Sequence, residues 1–354
     1  MKKLNFIIKY GLALLLLSFY SCESWLNVTP SDRLSEEMLF NDREGFVKAL
    51  NGVYIELNTN ELYGRNLTAG ALDVMGQYYS VASSSHAFYN YGGLVYTGND
   101  EKALFDNMWQ KCYAVIACCN TIIEKCDENK AGLSPVWKGS IKGEALALRA
   151  MLHFDMLRLF GPLTSELDKE SIPYQTNSDQ TVTPLLSGSE VIGLILDDLK
   201  NAVGLLKDTD PYFVEEEFSD TDLNYRRFRM NYFAAKGLMA RVQLWGGDKE
   251  KAAATAKEVI AEGQAEGAEF FPFVTNSEAT SSNPDRVFYS EVLFGTYHSS
   301  REKLHEDLFA PTLESTSILT LAGTARRDDL YDNENDYRYS VSVSYTHLRA
   351  HETD

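Results

Sequence analysis

The stretch that decides the fold is Gly143–Gly161, which reads GEALALRAMLHFDMLRLFG. Between its end glycines, twelve of the seventeen residues are apolar. At about 100° per residue these positions surround a helix instead of forming one stripe, which predicts the central helix of a helical repeat stack, packed on two sides. Arg149 and His153 lie one turn apart and are expected to make buried or interface hydrogen bonds. Gly161 followed by Pro162 predicts the end of the helix, with the glycine in a left-handed cap.

The composition is that of a large, acidic and aromatic-rich chain. It has 354 residues, of which 44% are apolar, enough for a sizeable core. A formal net charge of −18 disfavours nucleic acid and anionic membrane surfaces as partners. Most of the 20 tyrosines and 18 phenylalanines are expected in the core, but some must lie at the surface. Flat amphipathic rings there suit the recognition of sugars or peptides.

The first 21 residues are predicted to be a signal peptide. Lysines at positions 2, 3 and 9 precede the mostly apolar run Tyr10–Phe19, which is too short to span a bilayer. Cys22 follows directly, as at the acylation site of bacterial lipoproteins, although Phe19 stands where leucine is preferred. We therefore expect lipidation of Cys22, which would hold the chain at a membrane through its acyl chains. Glu23 fits the acidic export tag of surface lipoproteins in the Bacteroidetes. The alternative is an ordinary signal peptide with a chance cysteine.

The cysteines of the mature chain are predicted to be structural. Cys112, Cys119 and Cys126 recur every seven residues on a predicted helix, which puts them on one face but about 10 Å apart, too far for disulfides. No histidine is interleaved and no CxxC spacing occurs. The pattern indicates small buried side chains and no metal site.

Helical periodicity divides the chain into repeats and irregular parts. Helices are predicted within 35–57, 101–160 and 189–262, and irregular parts at 58–100 and 263–341. Ser35 is expected to cap the first helix, Ser187 with Glu190 to form a capping box, and Asp248 to cap the last helix. Alanines at close spacing in 230–262 let two helices approach closely, as in tetratricopeptide hairpins. Residues 291–297, EVLFGTY, alternate enough to predict a short strand.

The irregular part 58–100 is the best candidate for a binding site. It holds a dense group of tyrosines, and long loops between helices are usually functional or disordered. This one is too aromatic for disorder. A tyrosine offers its ring face to the apolar face of a sugar and its hydroxyl to the sugar's rim. The alternative is that the aromatic cluster only plugs the loop onto the helices. The predicted ligand-binding residues are Tyr78, Tyr79, Tyr89, Asn90 and Tyr91, with Tyr96 and Asn99 behind them.

No pattern of catalytic chemistry is present, so the chain is predicted not to be an enzyme, with no catalytic residue and no cofactor. GxSxG, HExxH, P-loop and GxGxxG spacings do not occur. The acidic clusters at 197–198, 215–217 and 328–329 are expected to be solvated charge. A glycosidase would need two carboxylates converging across a cleft. Residues 332–336, DNEND, alternate oxygen ligands but lack the turn glycine of a calcium loop, so no metal is expected.

Several stretches, in their order and spacing, resemble the SusD/RagB family of surface glycan-binding lipoproteins. The most specific is Gly143–Gly161, which resembles the family's alanine-rich helix that ends in phenylalanine and glycine. The other stretches that carry the resemblance are Cys22–Pro30, Phe46–Tyr54, Trp109–Asn120, Met230–Ile260, Glu291–Thr296 and Arg326–Leu330.

The resemblance implies a mostly α fold: a tetratricopeptide-like helical repeat stack with irregular loops and a few short strands, spanning about 22–341. Its implied function is to capture oligosaccharides at the cell surface, in the outer membrane, and to deliver them to a SusC-like TonB-dependent transporter. The family's sugar-contacting residues vary, so the resemblance implies only two regions: the loop before the Trp109 helix and the part after residue 270. The alternatives are a peptide-binding member of the same family and a tetratricopeptide scaffold that binds only protein.

The last residues depart from the family pattern. Residues 342–354 contain SVSYTHLRAHET, which resembles the in-frame translation of a sequencing adapter. The natural sequence is therefore expected to stop near Ser340 in a truncated fragment, because family members continue beyond this point. His347 and His351 are accordingly not counted as ligands.

Overall fold

The computed structural model describes residues 36–321 except 82, 180, 215–216, 266–267 and 286. The expected signal peptide, the Ser35 cap, Cys22, the 332–336 stretch and the tail 342–354 lie outside the described residues. In chain order the helices are α1 (Glu36–Leu39), α2 (Arg43–Leu57), α3 (Ala71–Met75), α4 (Tyr89–Gly92), α5 (Asn99–Glu128), α6 (Pro135–Phe160), α7 (Gly188–Thr209), α8 (Asp220–Asn224), α9 (Tyr232–Trp245), α10 (Lys249–Gly263), α11 (Asn276–Ala279) and α12 (Arg301–Leu308). Short 3₁₀ turns lie at Arg226–Phe228 and Tyr289–Glu291.

The described strands form three two-stranded antiparallel pairs, so the fold is mostly helical, as expected. They are β1 (Tyr79–Ser80) with β6 (Thr320–Leu321), β2 (Glu170–Pro173) with β3 (Leu185–Ser187), and β4 (Gln264–Ala265) with β5 (Ala268–Glu269). Within 36–321, no helix combines the length and apolar character needed to cross a membrane.

Helix α6 is the centre of the stack. It begins at Pro135, with the Ser134 side chain accepting a hydrogen bond from the Trp137 N–H. It packs against α5 on one side and α7 on the other, and nearly every side chain from 139 to 157 is buried. The prediction of a two-sided helix is therefore confirmed.

The end of α6 differs from the prediction. Gly161 has φ −84° and ψ 177°, an extended and not a left-handed conformation. A side chain at 161 would collide with the carbonyl oxygen of Leu157, so glycine is needed there for space and not for its φ angle.

Glycines also bring α6 and α7 together. A Cβ at Gly143 would lie 2.7 Å from Cγ of Leu206, and one at Gly139 would lie 2.5 Å from Cγ2 of Thr209. Such distances are too short for a real Cβ atom. At these two glycines, side chains of α7 therefore pack directly against the backbone of α6. The predicted capping box of α7 is confirmed, since Ser187 and Glu190 satisfy each other's backbone N–H groups. Asp248 caps α10 as predicted.

Three other expectations about secondary structure are wrong. The helix predicted within 35–57 is broken at 40–42, because the Asp42 side chain caps a new helix by accepting from the Gly45 N–H at 2.8 Å. Residues 292–297 form no strand; a 3₁₀ turn at Tyr289–Glu291 precedes them. Short helices interrupt both the 58–100 part and the chain after 262, because tertiary contacts override weak local periodicity.

The polar side chains on α6 are structural, as expected. The Arg149 guanidinium donates to both carboxylate oxygens of Asp198 at 2.7 and 2.6 Å. His153 donates from Nδ1 to the Arg149 carbonyl at 2.9 Å and accepts the Gln175 N–H at Nε2 at 3.0 Å. Burial of this neutral ring lowers the pKa of His153 to about 3. Asp198 was expected to be solvated and is instead buried against Arg149, whereas its neighbour Asp197 is exposed.

The prediction of buried cysteine side chains is confirmed for the three that recur every seven residues. Cys112, Cys119 and Cys126 are buried and reduced, and Cys118 is reduced at the surface. Burial raises the pKa of Cys126 to about 12, which keeps this thiol protonated. No group of histidine, cysteine or carboxylate side chains in the described part could hold a metal ion.

Candidate functional site

The two irregular regions singled out by the sequence meet in one small unit. Strand β1 in the 58–100 part pairs with β6 near the end of the described chain, with Tyr79 opposite Leu321 and Ser80 opposite Thr320. Beneath this ribbon lies a second apolar cluster, separate from the main core, whose buried members are Ala71, Val74, Phe88, Tyr91, Leu308 and Leu319. We call this assembly of the 71–96 segment with α12 and β6 the aromatic unit.

Tyr91 is a core residue of the aromatic unit. Only 2% of its surface is exposed, and its ring packs 5.9 Å from the ring centres of both Phe88 and Phe105. Burial, reinforced by Glu101 and Asp100, raises the pKa of Tyr91 to about 12. This ring therefore offers no free face to a ligand. It fits the alternative that the aromatic cluster packs the loop onto the helices.

Tyr79 is half-buried and also supports the unit. Its ring lies 5.2 Å from that of Phe309, so the pairing of β1 with β6 is accompanied by an aromatic contact. The β1–β6 pair and this contact together hold the tyrosine loop against the 301–321 segment.

Tyr78, Tyr89 and Tyr96 present their rings to solvent. Their exposed fractions are 48%, 44% and 36%. The Gln77 side chain donates to the Gly92 carbonyl at 3.1 Å, which places the backbone beside Tyr78 next to the helix that carries Tyr89. Tyr96 packs edge-on to Phe105 at 5.4 Å while part of its ring stays open. These exposed rings on a braced scaffold form what we call the tyrosine platform.

The two predicted asparagines lie at the surface beside the platform. Asn90 donates from Nδ2 to Glu101 Oε1 at 2.9 Å, which ties α4 to the first turn of α5. Asn99 is the first residue of α5 and is exposed. Both side chains can exchange hydrogen bonds with hydroxyl groups of a ligand at this surface.

The backbone of the platform is unusual at two non-glycine residues. Gln77 and Leu94, which flank the segment carrying Tyr78 and Tyr89, have φ angles of 62° and 55°. Left-handed conformations of such residues are uncommon and persist only where the surroundings hold them. The display of the exposed tyrosines therefore depends on the packed unit beneath them.

Sequence reasoning missed a cleft next to the aromatic unit. It lies between the turn 58–65 and the segment 298–307, and it encloses about 290 Å³. His298 donates from Nε2 to the Gly64 carbonyl at 3.0 Å, which joins the two walls across 234 residues of sequence. No local pattern marks such a contact, although the polar run Asn58–Asn60 was visible in the sequence.

The chain matches one family profile over residues 24–244, more than half of its length; the family is described as starch-binding and associating with the outer membrane. It is 26% identical over 265 residues to SusD-like protein P2 of Formosa agariphila, covering 73% of this chain and 46% of that protein. It is 30% identical over 146 residues to a SusD-like protein of Bacteroides ovatus, covering 40% of this chain and 23% of the relative. The chain thus spans less than half the length of these curated relatives.

Solved structures share the fold. A SusD-like carbohydrate binding protein from Bacteroides vulgatus superposes with a TM-score of 0.63 at 21% identity, covering 85% of this chain and 60% of that one. A SusD superfamily protein from Bacteroides thetaiotaomicron gives a TM-score of 0.61 at 20% identity, covering 84% and 63%.

Proposed function

Since the chain belongs to the SusD-like family of starch-binding proteins that associate with the outer membrane, we propose that it captures oligosaccharides at the cell surface and delivers them to a SusC-like TonB-dependent transporter. In this proposal it binds and does not cleave. A lipid anchor at Cys22 would hold it at the outer membrane, and the helical stack would contact the transporter.

The observation that carries the proposal is the tyrosine platform. Tyr78 and Tyr89 expose nearly half of their surface on a unit that two distant segments hold together. Large rings that a rigid scaffold holds open to solvent expose apolar surface to water, which is unfavourable in free energy. A ligand that covers these rings would remove this unfavourable exposure. Sugar rings supply the apolar faces for stacking, and their hydroxyls match the phenol and amide groups at the rim.

Of the seven predicted site residues, we propose that five touch the ligand. Tyr78, Tyr89 and Tyr96 would stack on sugar rings, and Asn90 and Asn99 would bind hydroxyls. The other two predicted residues, at positions 79 and 91, would instead hold the platform in shape, because one packs under the ribbon and the other is buried.

The test is calorimetry or affinity electrophoresis against a panel of oligosaccharides. Tyr78→Ala and Tyr89→Ala are each expected to weaken binding about two- to tenfold, the range of a single aromatic contact. Tyr225→Ala is the matched control, since Tyr225 is similarly exposed at 57% but lies outside the aromatic unit.

The alternatives give different results. A peptide-binding family member would bind peptides and no glycan of the panel, and a protein-only scaffold would keep its transporter partner while binding neither. Release of reducing ends from a bound glycan would contradict the binding-only proposal.

A further inference from the structure

The cleft beside the aromatic unit has mostly polar walls. Its lining comes from the turn after α2, from residues 298–300 and from α12. Besides the bond from Nε2 to Gly64, the His298 ring accepts the Ser300 N–H at Nδ1 at 3.1 Å, so both ring nitrogens are engaged and the walls are fixed relative to each other.

The lining carries a cation without a counter-ion. The Arg65 guanidinium donates from Nε to Asn66 Oδ1 at 3.3 Å and forms no ion pair with any described residue. Lys303 is paired with Asp307 at 3.1 Å, so these two charges cancel. The cleft therefore has an excess positive charge in a chain whose formal net charge is −18.

The rest of the lining offers hydrogen-bonding groups. Thr59, Asn60, Ser299 and Ser300 line the cleft with hydroxyl and amide side chains. Such groups can exchange hydrogen bonds with the hydroxyls of a ligand.

The cleft and the aromatic unit share helix α12. Leu304 lines the cleft and also packs against the apolar cluster of the aromatic unit, while Leu308 is buried within that cluster. The cleft therefore belongs to the same folded unit that carries the tyrosine platform.

We propose that this cleft takes an acidic sugar residue of the captured glycan, with its carboxylate or sulfate on the Arg65 guanidinium and its hydroxyls bound by the polar side chains of the lining. This inference rests on the proposed glycan capture and adds its ligand class. The guanidinium fork matches the two oxygens of a carboxylate or sulfate. A neutral glycan would leave the cation without its anion.

The test compares charged oligosaccharides with their neutral counterparts by calorimetry at low and high salt. The probes are oligogalacturonates with their carboxyl-reduced forms, and ι-carrageenan oligosaccharides with their desulfated forms, which separate carboxylate from sulfate. We expect at least one charged probe to bind about tenfold more tightly than its neutral form, less so at high salt. Arg65→Gln should abolish this preference. Arg301→Gln, an exposed arginine on α12 outside the cleft, should keep it.

The outcomes separate this inference from the proposed function. Equal binding of charged and neutral probes that still depends on Tyr78 and Tyr89 would overturn the acidic-sugar site and leave glycan capture standing. A charge preference that survives Arg65→Gln, in a variant whose circular dichroism is unchanged, would overturn it as well. Failure of all these probes while another oligosaccharide of the panel binds would overturn the acidic-sugar site alone. Failure of these probes and of every oligosaccharide in the panel would overturn both.

Discussion

Arg226 is expected to be the most sensitive charged position in the helical stack. Its side chain is only 1% exposed. Its guanidinium donates two hydrogen bonds to the Asp210 carboxylate, at 3.0 and 2.6 Å, and also forms an ion pair with Glu144. These partners belong to α6 and to the end of α7, and a longer contact reaches the Met230 carbonyl before α9. One side chain thus connects α6, the end of α7 and the segment that leads into α9.

Replacing Arg226 by methionine keeps most of the volume but leaves two buried carboxylates without their shared cation. Breaking a buried ion pair from one side costs about 3–5 kcal/mol. The lower end is expected here, because Glu144 keeps Arg229 at 3.1 Å and the Tyr54 hydroxyl at 2.7 Å, and Asp210 keeps backbone donors. Since whole domains are stable by about 5–15 kcal/mol, such a loss is easily measured.

The assay is urea unfolding followed by circular dichroism and tryptophan fluorescence. Adding Asp210→Asn to Arg226→Met should recover about 1–2 kcal/mol of the free energy of unfolding, because it removes one buried carboxylate that has lost its cation. Lys48→Met is the control, since its pair with Glu44 is solvent-exposed and should leave the transition unchanged. The reasoning is refuted if Arg226→Met shifts the transition as little as this control does.

Three further predictions concern other parts of the chain. The folded pKa of His153, about 3, lies below the unfolded value of about 6.5, so stability should fall by about 2 kcal/mol from pH 7 to pH 5; in urea melts His153→Gln should flatten this slope. Gly193→Ala on open α7 surface should stabilise by about 0.5–1 kcal/mol and Gly143→Ala should destabilise, and equal effects in thermal melts would contradict the close helix contact. Tyr91→Ala should cost about 3–5 kcal/mol in unfolding measurements, whereas Tyr89→Ala should change glycan affinity with little effect on stability; the reverse pattern would contradict the assignment of platform and plug.

Glu144 shows why composition alone does not reveal whether a charged side chain is solvated or buried in an ion pair. Desolvation alone would raise the pKa of Glu144, but Arg229 and Arg226 outweigh it and hold the pKa below its usual range. In the sequence, Glu144 is a single carboxylate at the start of a mostly apolar helix. Its partners lie more than 80 residues away, so no spacing rule could connect them.

The sequence by itself determined the order of the main helices, the two-sided character of Gly143–Gly161 and the caps at Ser187 and Asp248. These features depend on residues within one or two turns, where periodicity and capping chemistry act. It also identified the two irregular regions that meet in the aromatic unit.

Only the tertiary structure decided which tyrosines face solvent. Tyr89 and Tyr91 are two residues apart, yet one is 44% exposed and the other 2%. It also decided that Asp198 is buried beside exposed Asp197, and that His298 closes a cleft against a turn 234 residues earlier. The physical reason is that exposure and charge pairing depend on what packs against a side chain, and those neighbours come from distant parts of the chain whose approach is set by the whole core.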